Sequence, residues 1–217
     1  MFARRDGHPV AVHYGSAAGE LAACVTGAGL ADRSELTKLE LSAPREALEP
    51  IVSRLAGGAV APGGARLAGG TWWCGLGAER VIAISEPPTG DRLRRQLRAR
   101  AAQQPDLTWR DRTDEWAAIA VVGRHTTDVL RALGVYGESG DPRRPPPFSA
   151  GSAGPVPALW LLESDRLALA LVARAKAGTA WRALERTGLT IGICCVGQDA
   201  FARWALLERR RAFAAPG

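Results

Sequence analysis

Cysteine, histidine, tyrosine and tryptophan are among the side chains in this 217-residue chain that could bind or react without a cofactor, and their spacing restricts what they can do. The four cysteines are Cys24, Cys74, Cys194 and Cys195. None forms a C-x-x-C and none has a histidine at zinc-ligand spacing, so no metal site is expected. Cys194 and Cys195 sit in the apolar run Ile193 to Val196. Neighbours on a strand point to opposite faces, so the pair reads as two small buried hydrophobes rather than a redox couple. His8, His13 and His125 are far apart. His125 opens a helix, where an imidazolium is disfavoured, and a neutral or structural role is expected. Trp72 and Trp73 alternate across a strand, so one belongs to the core and the other is free to stack on a flat ring or a partner. Tyr14 either lines a ligand cleft or packs with its hydroxyl bonded. Asp32 is expected to turn or cap the chain. No nucleophile–base pair is legible, and the catalytic residue is left unassigned.

The elements that must position these residues follow from periodicity. Ser16 caps a helix through Glu20, Leu21, Cys24 and Val25, which Gly29 ends. Lys38 to Leu41 alternates like a strand. Pro44 opens a helix carrying Leu48, Ile51, Val52 and Leu55, which Pro50 should bend or shorten. Thr71 to Gly75 and Arg80 to Ser85 form a hairpin. Leu93, Leu97 and Ala101 mark an amphipathic helix with arginines on its other face, and Leu107 to Arg110 a strand. The order then repeats: strand Trp116 to Val122, helix Thr126 to Leu133 ended by Gly134, a Gly-, Pro- and Ser-rich loop from Tyr136 to Pro155, strands Ala158 to Leu162 and Leu167 to Val172, helix Ala175 to Glu185, and strand Leu189 to Cys194. A helix from about Gln198 to Phe213 closes the chain. This is an α+β fold of two β-α-β-β-α-β units, each ferredoxin-like. The halves are 1–114 with an N-terminal helix and 115–217 with a C-terminal helix, one compact unit with the crevice between its sheets as the default ligand site.

Composition narrows the partners. Hydrophobic content of 47% and charged content of 23% are ordinary for a globular protein. No apolar run approaches the roughly 20 residues of a membrane helix, and no apolar core follows the basic N-terminus, so no membrane and no secretory signal are expected, and the cytoplasm is the default. The formal charge of +6 is carried almost wholly by arginine, with Lys38 and Lys176 the two lysines. The clusters Arg94-Arg95, Arg143-Arg144 and Arg209 to Arg211 are scattered, which excludes a nucleic-acid stripe but leaves an anionic small molecule or acidic partner.

Five segments, in order, resemble the glycine-cleavage T-protein (aminomethyltransferase) family. They are HYGS with Glu20, Ala28-Gly29-Leu30, Asp32 and Ser34; Val81 to Ser85 with Thr89-Gly90-Asp91; the stretch Leu107 to Gly134; Leu167 to Gly188; and Gly197 to Glu208. The chain is similar in its short form to the gamma subunit of heterotetrameric sarcosine oxidase, with no C-terminal barrel. The resemblance implies a folate-binding domain, tetrahydrofolate as cofactor and one-carbon transfer on a small amine-derived substrate. It also implies a carboxylate in a Gly-Gly-x-x-Asp-Asp turn that activates the folate nitrogen. Here that hairpin reads Gly69-Gly70-Thr71-Trp72-Trp73-Cys74, without an Asp. An indole or thiol does not replace a carboxylate as general base near neutral pH. The family's Asn is matched by Ser85, and its pterin-binding Glu by Glu163, so the expected ligand residues are Tyr14, Trp72, Ser85 and Glu163.

The expected function is therefore a folate-binding, aminomethyltransferase-like protein with a degenerate motif. Two alternatives remain. One is a non-catalytic subunit of a larger enzyme, which seven tryptophans would suit because tryptophan is enriched at interface hot spots. The other is a repurposed, folate-independent enzyme using the same cleft.

Overall fold

A computed structural model describes residues 1–5, 8–135 and 146–214. In chain order the elements are β1 (Phe2–Arg5), β2 (His8–Ala11), α1 (Ala17–Thr26), β3 (Ala28–Asp32), β4 (Thr37–Ser42), α2 (Arg45–Ala56), β5 (Ala65–Ala68), β6 (Thr71–Gly77), β7 (Arg80–Ser85), α3 (Pro87–Ala101), β8 (Thr108–Asp111), β9 (Trp116–Gly123), α4 (Thr126–Ala132), β10 (Phe148–Ala153), β11 (Val156–Ser164), β12 (Leu167–Ala173), α5 (Ala177–Gly188), β13 (Ile193–Cys195) and α6 (Gln198–Ala214).

Local chemistry explains most boundaries. Ser16 caps α1 by accepting from the Gly19 amide. Gly134, at φ 69°, takes the left-handed turn after α4 that residues with a Cβ resist. α2 runs through Pro50 without shortening. The lost hydrogen bond is outweighed by burial of Leu48, Ile51, Val52 and Ala56.

β1 and β2 pair as a two-stranded ribbon, and the two larger sheets each contain a ferredoxin-like unit. The first has the order β5-β6-β7-β4-β8. In it β4, β6, β7 and β8 are the four strands of β-α-β-β-α-β, with β5 added at the edge. The second has the order β10-β11-β12-β9-β3-β13. Its own four strands are β9, β11, β12 and β13, but β3 from the N-terminal segment is inserted between β9 and β13, antiparallel to the first and parallel to the second. Both sheets are open, so the described residues form no closed barrel.

Three apolar layers hold this together. α2 and α3 cover one side of the first sheet over Leu39, Leu41, Trp73, Val81 and Ala83. α4 and α5 cover one side of the second over Leu30, Ile119, Val121 and Trp160. Between the sheets lie Ile82, Ile84, Ala120, Leu169 and Leu171, joined by Phe201 and Trp204 of α6.

Several expectations needed correction. α1 ends at Gly27 and not at Gly29, which lies inside β3. That strand was not legible because Ala-Gly-Leu-Ala has no alternation when both faces are buried. The segment read as strand Leu189 to Cys194 is a 3₁₀ turn over Leu189–Ile191 followed by β13. Part of the expected long loop is β10, and its stretch 136–145, with Arg143 and Arg144, lies outside the described residues. The tryptophans do not form an exposed surface. Trp73, Trp160 and Trp204 are buried, and Trp72, Trp109, Trp116 and Trp181 are half-buried.

Candidate functional site

The densest polar group between the sheets is centred on Arg33, in the turn from β3 to β4. Its Nε donates to Glu35 at 2.7 Å and its Nη2 to Glu86 at 2.5 Å. The guanidinium lies over the Phe201 ring, 4.4 Å from its centroid. Burial alone would lower its pKa, but Glu35 and Glu86 outweigh that and raise it, so Arg33 is held charged. Glu35 is almost fully buried. Its Oε1 also accepts from Gln198 Nε2 at 3.1 Å, while Oε2 has no partner among the described residues. α6 supplies both Gln198 and Phe201, and α3 begins just after Glu86.

Glu163 approaches the same group from the β11–β12 hairpin. It is the extra residue of a β-bulge, since Leu162 pairs with Ala168 and Ser164 with Leu167. A bulge redirects its side chain. Burial raises the Glu163 pKa, and the nearby Trp72 indole and Arg33 offset part of this while Glu86 adds to it. Of the four expected ligand residues, Trp72 and Glu163 lie near each other.

Ser85 and Tyr14 are not with them. Ser85 alternates with Val81 and Ala83, so it belongs to the helix-covered side of its sheet, in register with Thr37 and Thr71 under the first turn of α3. Its buried hydroxyl has no partner among the described residues. Tyr14 lies near β13, in a different region. Burial pushes its hydroxyl up to about 12, with further repulsion from Cys195, Asp32, Glu20 and Glu185. It is 47% exposed, so it is not a packed core tyrosine.

Other residues take structural places. Asp32 accepts from the Ser34 amide, which makes it a turn residue. Asp111 accepts from Arg94 and from the Thr113 amide. His125 Nδ1 is 2.8 Å from Asp128 Oδ2. Cys194 packs towards the inter-sheet core, while Cys195 donates to Glu185 on the other side at 3.2 Å. Burial pushes the Cys24 and Cys195 thiols up to about 12 and raises Cys74 and Cys194 as well. None of the four is tuned as a nucleophile. No cluster that could hold a metal exists among the described residues.

Two cavities are lined by other elements. One, about 220 Å³, lies between α2, the segment 59–62 and the β6–β7 turn. The other, about 450 Å³, is a groove between α5 and β13. The faces that meet between the sheets carry Ile82, Ile84, Leu169 and Leu171, with Arg33 stacked on Phe201 beside them. Arg33, Glu86 and Gln198 were not singled out from sequence, because a group formed by three separate segments has no local spacing.

No protein-family model matches the sequence, and no curated protein matches it. Solved structures do match. Glycine cleavage system aminomethyltransferase T from Bartonella henselae superposes with a TM-score of 0.66 at 14% identity, over 92% of this chain and 56% of that one. A chain of heterotetrameric sarcosine oxidase from Corynebacterium sp. U-96 superposes with a TM-score of 0.60 at 18% identity, over 81% of this chain and 92% of that one. The chain thus spans little more than half the length of the aminomethyltransferase. No described helix is long and apolar enough to cross a membrane. By fold, therefore, the chain resembles the aminomethyltransferase T group, as one pair of facing ferredoxin-like units.

Proposed function

We propose that this chain is an accessory subunit of aminomethyltransferase-like fold, which docks on a larger enzyme and does not itself perform aminomethyl transfer. The observation that supports this is the Arg33 group, in which Arg33 is paired with Glu35 and Glu86 and stacked on Phe201 of the inter-sheet core. The facing hairpin offers Trp72 and Cys74 but no carboxylate to activate a folate nitrogen. Two further facts agree. The superposition spans 92% of a sarcosine oxidase chain that works in a heterotetramer. Leu206 and Leu207 on α6 are exposed and give the chain apolar surface to cover. A cytoplasmic location goes with this reading. Light scattering on a size-exclusion column, with a pull-down from the native host, tests it. The expected result is a stoichiometric complex with a large oxidase-type subunit, whereas a stable monomer that captures none counts against it.

A second reading, reduced-folate binding, is favoured by Glu163. A carboxylate set in a bulge beside an indole can accept from the amide and amine of a pterin edge together. Tetrahydrofolate, when bound, would supply the one-carbon acceptor nitrogen. The residues present fit recognition of its pterin and do not fit its activation. Calorimetric titration with tetrahydrofolate decides. Binding that weakens in Glu163→Gln supports this reading, and silence at high micromolar concentration removes it.

A further inference from the structure

The groove between α5 and β13 lies outside the inter-sheet layer and does not depend on the function proposed above. Its walls are Arg182, Glu185 and Arg186 of α5, Leu189 of the 3₁₀ turn, and Ile193, Cys194 and Cys195 of β13. At about 450 Å³ it is within the range of small-molecule sites. β13 is the last strand of its sheet, so nothing in the sheet closes this side.

The chemistry of the walls is uneven. Arg182 and Arg186 are four residues apart, hence on one face of α5, and both are exposed. Neither has a carboxylate at ion-pair distance among the described residues. Glu185, the acid between them, is engaged with the Cys195 thiol. The Trp181 indole lies beside that thiol, and the half-exposed Tyr14 lies near both Cys195 and Glu185. Leu189, 71% exposed, and Ile193 complete an apolar floor. Arg186 Nε donates to the Arg182 carbonyl at 3.3 Å, and, without a carboxylate partner, the two guanidiniums keep donors for an anionic head beside Leu189 and Ile193, which suit an apolar body.

We propose that this groove binds a small organic carboxylate with an apolar or aromatic body, its carboxylate held by Arg182 and Arg186. The probe is 3-phenylpropanoate, and the readout is maleimide labelling of Cys195 followed by mass spectrometry. Cys24 and Cys74 are buried and serve as internal blanks. Once the free probe exceeds its Kd about fivefold, labelling of Cys195 slows by about fivefold. The protection disappears in Arg182→Ala and Arg186→Ala, whose exposed side chains can be removed without unfolding, as circular dichroism verifies. Equal protection by the neutral 3-phenylpropanamide overturns the carboxylate assignment. Equal protection by inorganic sulfate overturns the apolar body. No protection by any of the three overturns the site.

Discussion

Lys38 is fully buried, and no carboxylate lies within ion-pair distance among the described residues. Its ammonium donates to the carbonyls of Ser34 at 2.9 Å, Trp116 at 3.0 Å and Thr113 at 3.4 Å. Arg174 donates to the same three carbonyls. Burial, with repulsion from Arg174, lowers the Lys38 pKa to about 8 from 10.5. Between these pH values the unfolded chain holds the proton and the folded chain does not, so this group makes stability rise with pH. The span corresponds to about 3 kcal/mol. The raised thiols and Tyr14 act in the opposite sense above pH 9, so the measurement is a difference. The urea stability of wild type minus that of Lys38→Met should increase from pH 8 to 10.5, and a flat difference would exclude a depressed lysine. Glu20 is the acidic counterpart. Burial pushes its pKa up, but the amides of Gly197, Tyr14 and Gly15 outweigh this and lower it. Its contribution is present above 4.5 and lost as pH falls through the folded value. Glu20→Ala should cost about 3 kcal/mol in denaturant melts at pH 7, and less at pH 3.

At the scale of elements, the insertion of β3 rests on close approach. A Cβ at Gly29 would lie 2.3 Å from Val196 Cγ2 and 3.0 Å from Cys24 Sγ. β3 therefore passes under both α1 and the β13–α6 junction only because Gly29 has no side chain there. Gly29→Ala is expected to destabilise by about 2 kcal/mol through overpacking. Val196→Ala in the same chain should recover part of that loss, since it removes the nearest clashing atom. Additive thermal shifts for the two changes would show that the clash is not the cause. α3 obeys the same rule, since a Cβ at Gly90 would meet Thr37 Oγ1 at 2.1 Å. The helix lies directly on β4 and fixes the row Thr37, Thr71 and Ser85 beneath it. This is why Ser85, adjacent in sequence to Glu86, is separated from the Arg33 group that Glu86 joins.

For the whole molecule, the decisive feature is that the second sheet contains a strand from the N-terminal segment. A fragment of residues 115–217 lacks β3, and β13 then has no neighbour in the sheet. A fragment of residues 1–114 exposes Cys74, Ile82 and Ile84, which face the inter-sheet core. Neither half is expected to fold alone. Mixing the two should restore near-native circular dichroism and a cooperative melt, whereas an independently cooperative 115–217 fragment would contradict the role of β3. The α6 helix acts at the same scale, because Phe201 and Trp204 close the inter-sheet core while Gln198 joins the Arg33 group.

Sequence alone determined the elements with strong periodicity or explicit punctuation. The hairpin Thr71 to Ser85, the helices starting near Ser16 and Pro44, and the repeated β-α-β-β-α-β order are local properties, set by alternation, capping and turn residues. From that order the ferredoxin-like units could be read; Trp72 could be named from strand alternation and Glu163 through the resemblance. Sequence could not place β3, because a small-residue strand buried on both faces carries no period. It could not separate Ser85 from Trp72, because which side of a sheet meets helices depends on the second sheet. Nor could it reveal the group around Arg33, which draws residues from the β3–β4 turn, the start of α3 and α6. Such groups form only when long-range packing brings together segments that local chemistry never relates.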